Sequence, residues 1–70
     1  MYGGNWKLKC TGDIVISYMT FKAGHTYDVK DKFPGEDGTV ETGDWEVKTG
    51  TGGLVYISKN LRDQYFIEVQ

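Results

Sequence analysis

Trp45-Glu46-Val47-Lys48-Thr49-Gly50-Thr51-Gly52-Gly53-Leu54-Val55-Tyr56-Ile57 is the stretch that decides the fold. Its first four residues alternate apolar with charged, the period-2 pattern of a strand with one buried face. The glycine-rich 50–53 segment supplies the positive φ angles that a tight reversal needs. Leu54–Ile57, β-branched and aromatic, then returns as the partner strand. The same pattern recurs on both sides. Trp6-Lys7-Leu8-Lys9-Cys10 puts Trp6, Leu8 and Cys10 on one face and two lysines on the other, and Thr26–Lys30 turns Tyr27 and Val29 inward. Ile14–Met19 is apolar on both faces and reads as a doubly buried strand or an irregular arm. Tyr65–Val69 reads as a last strand. Before it, Ser58–Gln64 is polar apart from Leu61 and has room for one helical or 3₁₀ turn. No longer window carries helical periodicity. The expectation is a single all-β domain over residues 1–70: a small barrel of five to six strands with one short helical turn near the C-terminus.

Composition sharpens this. A 70-residue chain buries only about 60% of its unfolded surface, so its core depends on large side chains. Aromatics at 14% provide them. Ten glycines against one proline fit tight turns between short strands. A net charge of −2 lacks the basic excess typical of nucleic-acid binders. Cys10 is the single cysteine, so no internal disulfide can form and a reducing, cytoplasmic setting is expected. No apolar run approaches the ~20 residues of a membrane span. Residues 1–5 lack the charged lead-in and apolar stretch of a signal peptide.

Several segments resemble, in order, the Src-homology-3 domain. Met19-Thr20-Phe21-Lys22-Ala23-Gly24 is similar to that family's Leu-Ser-Phe-x-x-Gly diverging turn, and a strand bearing Tyr27 and Val29 follows it. After a variable loop, Asp44-Trp45-Glu46-Val47 resembles the tryptophan-bearing strand. Gly50–Val69 can be laid on a distal hairpin, an apolar strand, a 3₁₀ turn around Ser58-Lys59-Asn60, and a last short strand. More loosely, the Tyr-x-Val strand and the aromatic end resemble small barrel proteins common in bacteriophage genomes. The resemblance implies the barrel; it does not imply proline-peptide binding. Leu8-Lys9-Cys10-Thr11 stands where peptide-binding members carry Ala-Leu-Tyr-Asp-Tyr, Cys10–Phe21 is short for the family's long arm, and a serine replaces the proline before the 3₁₀ turn. Only Trp45 maps onto the aromatic groove.

The residues that can carry chemistry are few. His25 sits in a Gly-His-Thr turn and reads as exposed, without a nucleophile beside it. Cys10 shares a face with Trp6 and Leu8 and reads as a small buried hydrophobe; a structural zinc site wants about four Cys or His ligands. Gly50–Gly53 precedes a strand, whereas a phosphate loop precedes a helix. Lys7 and Lys9 share an outward face that Lys48 can join, the one arrangement favouring a nucleic-acid-binding barrel.

Between Asp31 and Glu46 six acids, Asp31, Glu36, Asp37, Glu41, Asp44 and Glu46, stand against the single base Lys32. This segment and Trp45, a residue type enriched in binding hot spots and equally a natural core residue of a small barrel, point to a non-enzymatic protein–protein interaction module steered to a basic partner. The looser resemblance adds a phage accessory role on a host factor. The expected contact residues are Trp45, Asp44, Glu46, Glu41, Asp37, Glu36 and Tyr18, with no cofactor, no metal and no catalytic group. A nucleic-acid-binding barrel and a self-assembling structural protein are the alternatives.

Overall fold

The computed structural model describes residues 6–50 and 52–69. The start at residues 1–5 and Thr51 of the glycine connection lie outside them. The described residues form seven strands: β1 (Trp6–Cys10), β2 (Ile14–Ile16), β3 (Met19–Phe21), β4 (Thr26–Lys32), β5 (Trp45–Lys48), β6 (Leu54–Ile57) and β7 (Phe66–Val69). A 3₁₀ turn, Val40–Thr42, interrupts the long loop after β4, and helix α1 (Lys59–Tyr65) separates β6 from β7. β6, β5, β4, β1 and β7 make one five-stranded antiparallel sheet in that order, and β2 and β3 form a separate hairpin. The chain is therefore mostly strand. The sheets are open: among the described residues β6 and β7 are edges and do not pair with each other.

The alternating strands pack as their sequences dictate. Leu8, Cys10, Val29, Trp45, Val47, Val55, Ile57 and Phe66 point into one core with Phe21. Phe21 is its centre, meeting Tyr27 and Phe66 edge-to-face at 4.9 and 5.6 Å between centroids, the arrangement that ring quadrupoles favour. Cys10 is fully buried, its thiol directed at the Gly12 carbonyl at 3.0 Å. Lys7 and Lys9 face outward, as expected, but Lys7 is held by Asp28 at 2.7 Å.

Two features depart from strict alternation. The first is Ile14–Met19, which is neither a doubly buried strand nor irregular. It breaks after Ile16, reverses through Ser17 and Tyr18, and starts β3 at Met19, hence seven strands where five to six were expected. Ile14, Ile16 and Met19 pack against the core while Val15 points to solvent. The second is a bulge in β4. Val29 pairs with Val47, yet Asp31 pairs with Glu46 and Lys32 with Trp45. The extra residue inverts the alternation, so Asp31 is turned out and Lys32 in.

Ser17 and Tyr18 adopt φ of 52° and 68°. Positive φ at both positions is what a type I′ hairpin turn needs, and that turn favours Asn-Gly; serine and a bulky tyrosine are strained there. Changing Ser17→Asn together with Tyr18→Gly is expected to raise unfolding free energy by about 1–2 kcal/mol. The check is the urea midpoint, and an unchanged or lower one counts against a strained turn.

Candidate functional site

The acidic stretch is held by its neck. Phe33 and Asp44 extend the β4–β5 ladder by one step, with the Phe33 N–H donating to the Asp44 carbonyl at 3.0 Å. Gly35 accepts from Gly38 and donates to Thr39, folding the tip back. Gly43 is buried against Phe33 and Pro34, and a Cβ there would overlap the Phe33 carbonyl oxygen. Only glycine allows the two sides of the neck to come so close.

Asp37 organises the tip. One carboxylate oxygen accepts from the Thr39 N–H at 2.9 Å, the Thr39 hydroxyl at 2.8 Å and the Thr42 hydroxyl at 2.6 Å. These hydrogen bonds, led by the one from Thr42, hold its carboxyl below the ordinary value of 3.8. Asp37 is thus a structural residue of the loop as well as a surface charge.

The loop base rests on Arg62. This residue, in the middle of α1, is only 6% exposed. Its Nη1 donates to the Gly43 and Ile57 carbonyls at 2.7 and 2.8 Å, and Nη2 to the Glu41 carbonyl at 2.7 Å. Burial lowers its pKa, opposed by the charges of Asp63, Asp44 and Glu68. The helix that presents it is capped by Ser58, whose hydroxyl accepts from the Leu61 N–H.

Trp45 lies against the same arginine. It is 6% exposed and belongs to the core. Its indole N–H donates to the Val40 carbonyl at 2.8 Å. The Lys32 ammonium sits 4.0 Å from its ring centroid and the Arg62 guanidinium carbon 4.1 Å away, within cation–π reach. Of the two roles the sequence left open to it, exposed contact and core residue, the fold gives it the second. The physical reason is the alternation of β5, which turns Trp45 and Val47 to the buried face; the β4 bulge then brings Lys32 inward against the ring. Val40 pins the loop to the core through its carbonyl.

The remaining expected site residues do not form one patch. Glu36, Asp37 and Asp44 line an open cleft of about 810 Å³ with Phe33 and Pro34. Glu41 lines a different cavity of about 260 Å³, beside Trp45, Lys59 and Arg62. Glu46 lies on the outer sheet face with Lys30 4.0 Å away. Tyr18 is 98% exposed at the tip of the β2–β3 hairpin.

Two residues that sequence reasoning did not select join the cleft. Phe33 and Tyr56, 39% and 58% exposed, meet edge-to-face at 5.9 Å. With Asp44 they line a notch of about 230 Å³. The notch shares Phe33 and Asp44 with the acidic cleft. The outward register of Tyr56, between inward Val55 and Ile57, was the signal that could have identified it.

Among the described residues no group of three or more His, Cys, Asp or Glu is arranged to hold a metal ion, and no helix is long and apolar enough to cross a membrane. His25 is exposed in its turn. No family model matches the chain, and no curated protein or solved structure gives a significant match.

Two outcomes test this description. Arg62→Met leaves three carbonyls without their donor and is expected to cost about 2–4 kcal/mol of stability by urea denaturation, with Arg62→Lys recovering only part. A fully stable Arg62→Met would mean the arginine is dispensable. For Asp37, the folded-state pKa is depressed, so its stabilisation is present above pH 3.8 and is lost as the pH falls through the lower folded value. Stability followed from pH 6 to pH 2 should therefore fall more shallowly in Asp37→Asn than in the parent; parallel curves would remove the linkage.

Proposed function

We propose that the chain is a non-enzymatic binding domain of Src-homology-3-like barrel architecture that engages a basic protein segment through its 33–44 loop. The architectural part is supported by element order: a first strand flanked by the last, a hairpin arm, a long loop, a glycine hairpin and a helical turn before the closing strand. The phage accessory role belongs to the same proposal and rests on the looser sequence resemblance.

One observation carries the functional part. Glu36, Asp37 and Asp44 line a single open cleft that continues into an exposed aromatic pair. Such a surface attracts positive charge at long range and offers apolar contact at short range. The chain's own nearby cations are engaged elsewhere: Lys32 with Glu68 at 3.3 Å and the tryptophan rings, Lys30 near Glu46, and Arg62 with buried carbonyls. The nucleic-acid reading is weaker, since the outward Lys7 is paired with Asp28, and Lys48 also lies near that carboxylate.

The test is binding of a lysine- and arginine-rich peptide by the whole chain at two salt concentrations. Affinity is expected to fall with salt, and Glu36→Lys with Asp44→Lys to weaken it at least tenfold. Binding that ignores both reversals, or no binding at low salt, defeats the proposal.

A further inference from the structure

From the geometry of the Phe33–Tyr56–Asp44 notch we infer that it receives one cationic side chain, an arginine or lysine of the partner. This rests on the proposed basic-segment reading and adds the point at which the partner is read. In an edge-to-face pair, the edge of one ring covers a single face of the other. Ring faces carry negative potential, so the open ones attract a cation. Asp44 adds a formal negative charge to the same 230 Å³ notch.

The site is also built rigidly. Phe33 and Asp44 are locked to each other through the neck hydrogen bond, and Tyr56 projects from β6, paired to β5. Among the described residues no lysine or arginine lies over the Phe33 or Tyr56 ring; the cation–π contacts of this chain all fall on Trp6 and Trp45. The notch therefore has the same components that hold Lys32 against Trp45 inside the domain, aromatic faces with a carboxylate nearby, but turned to solvent. Little of the cation's own water need be lost at so open a site, so a single side chain is held weakly and its value is in fixing register along the cleft.

The experiment is a nitrogen-15 NMR titration of the full chain with a short glycine–serine peptide carrying one arginine, a second carrying one lysine, and a third carrying norleucine. The cationic peptides should shift the amides of Phe33, Asp44 and Tyr56 with millimolar affinity, and norleucine should leave them in place. Tyr56→Leu should weaken the arginine peptide at least threefold, and Asp44→Asn should do so while reducing its salt dependence. Equal shifts with norleucine overturn the inference, as do shifts centred elsewhere or affinity unchanged by both variants. If the lysine- and arginine-rich peptide still binds in a salt-dependent way under those outcomes, the notch is wrong while the acidic cleft stands. If neither probe binds, both readings fall.

Discussion

A single guanidinium ties three parts of this chain together. Arg62 comes from the helix, and its acceptors come from the 3₁₀ turn, the loop neck and the end of β6. Among the described residues no carboxylate bonds to it. Its charge is balanced at a distance by Asp63, Asp44 and Glu68, while its hydrogen bonds go to backbone oxygens that would otherwise be orphaned on burial. A small domain has too little apolar surface to fix a twelve-residue loop by packing alone. A planar donor with a fixed fork of N–H groups can fix it with few atoms. Trp45 stacks on the same group, so the core and the loop meet at one cation–π contact.

This arrangement explains how a loop rich in acids stays ordered. The repulsion of Glu36, Asp37, Glu41 and Asp44 would spread an unsupported segment. Here the carbonyls of the acidic stretch bind inward to Arg62 and the indole of Trp45, Asp37 is satisfied by two threonine hydroxyls, and the remaining carboxylates face water. The loop presents charge because its backbone, not its side chains, is what the domain holds. Phe33 and Asp44 mark where that hold ends and the open surface begins.

Much of the scaffold was legible in the alternation of Trp6–Cys10, Trp45–Lys48 and Leu54–Ile57, because each has one wet and one dry face. The glycine hairpin and the buried Cys10 followed from the same reasoning. Arg62 was not legible: it stands in a polar run and looks like any solvated base. The two cations on the Trp45 ring depended on it and on the bulge in β4, a change of parity that no periodicity within Thr26–Lys32 announces. The hairpin at Ser17-Tyr18 was hidden for a related reason, since a tyrosine is no turn residue and neither side chain announces the positive φ that both adopt. The acidic cleft was readable as composition, but the aromatic notch beside it joins residues 23 positions apart in the chain, Phe33 and Tyr56, and needed the fold to bring them together.

The pairing of the outer strands has a mechanical side. β7 is an edge strand whose neighbour is β1, and Lys7 lies directly opposite Val69. The two strands run antiparallel with these ends side by side. A pull applied at residues 7 and 69 therefore loads the ladder one rung at a time, as in opening a zipper, instead of shearing all its hydrogen bonds together. Tension delivered through those two positions would strip β7 from the sheet first, while β4, β5 and β6, which carry the loop, lie outside the initial line of force.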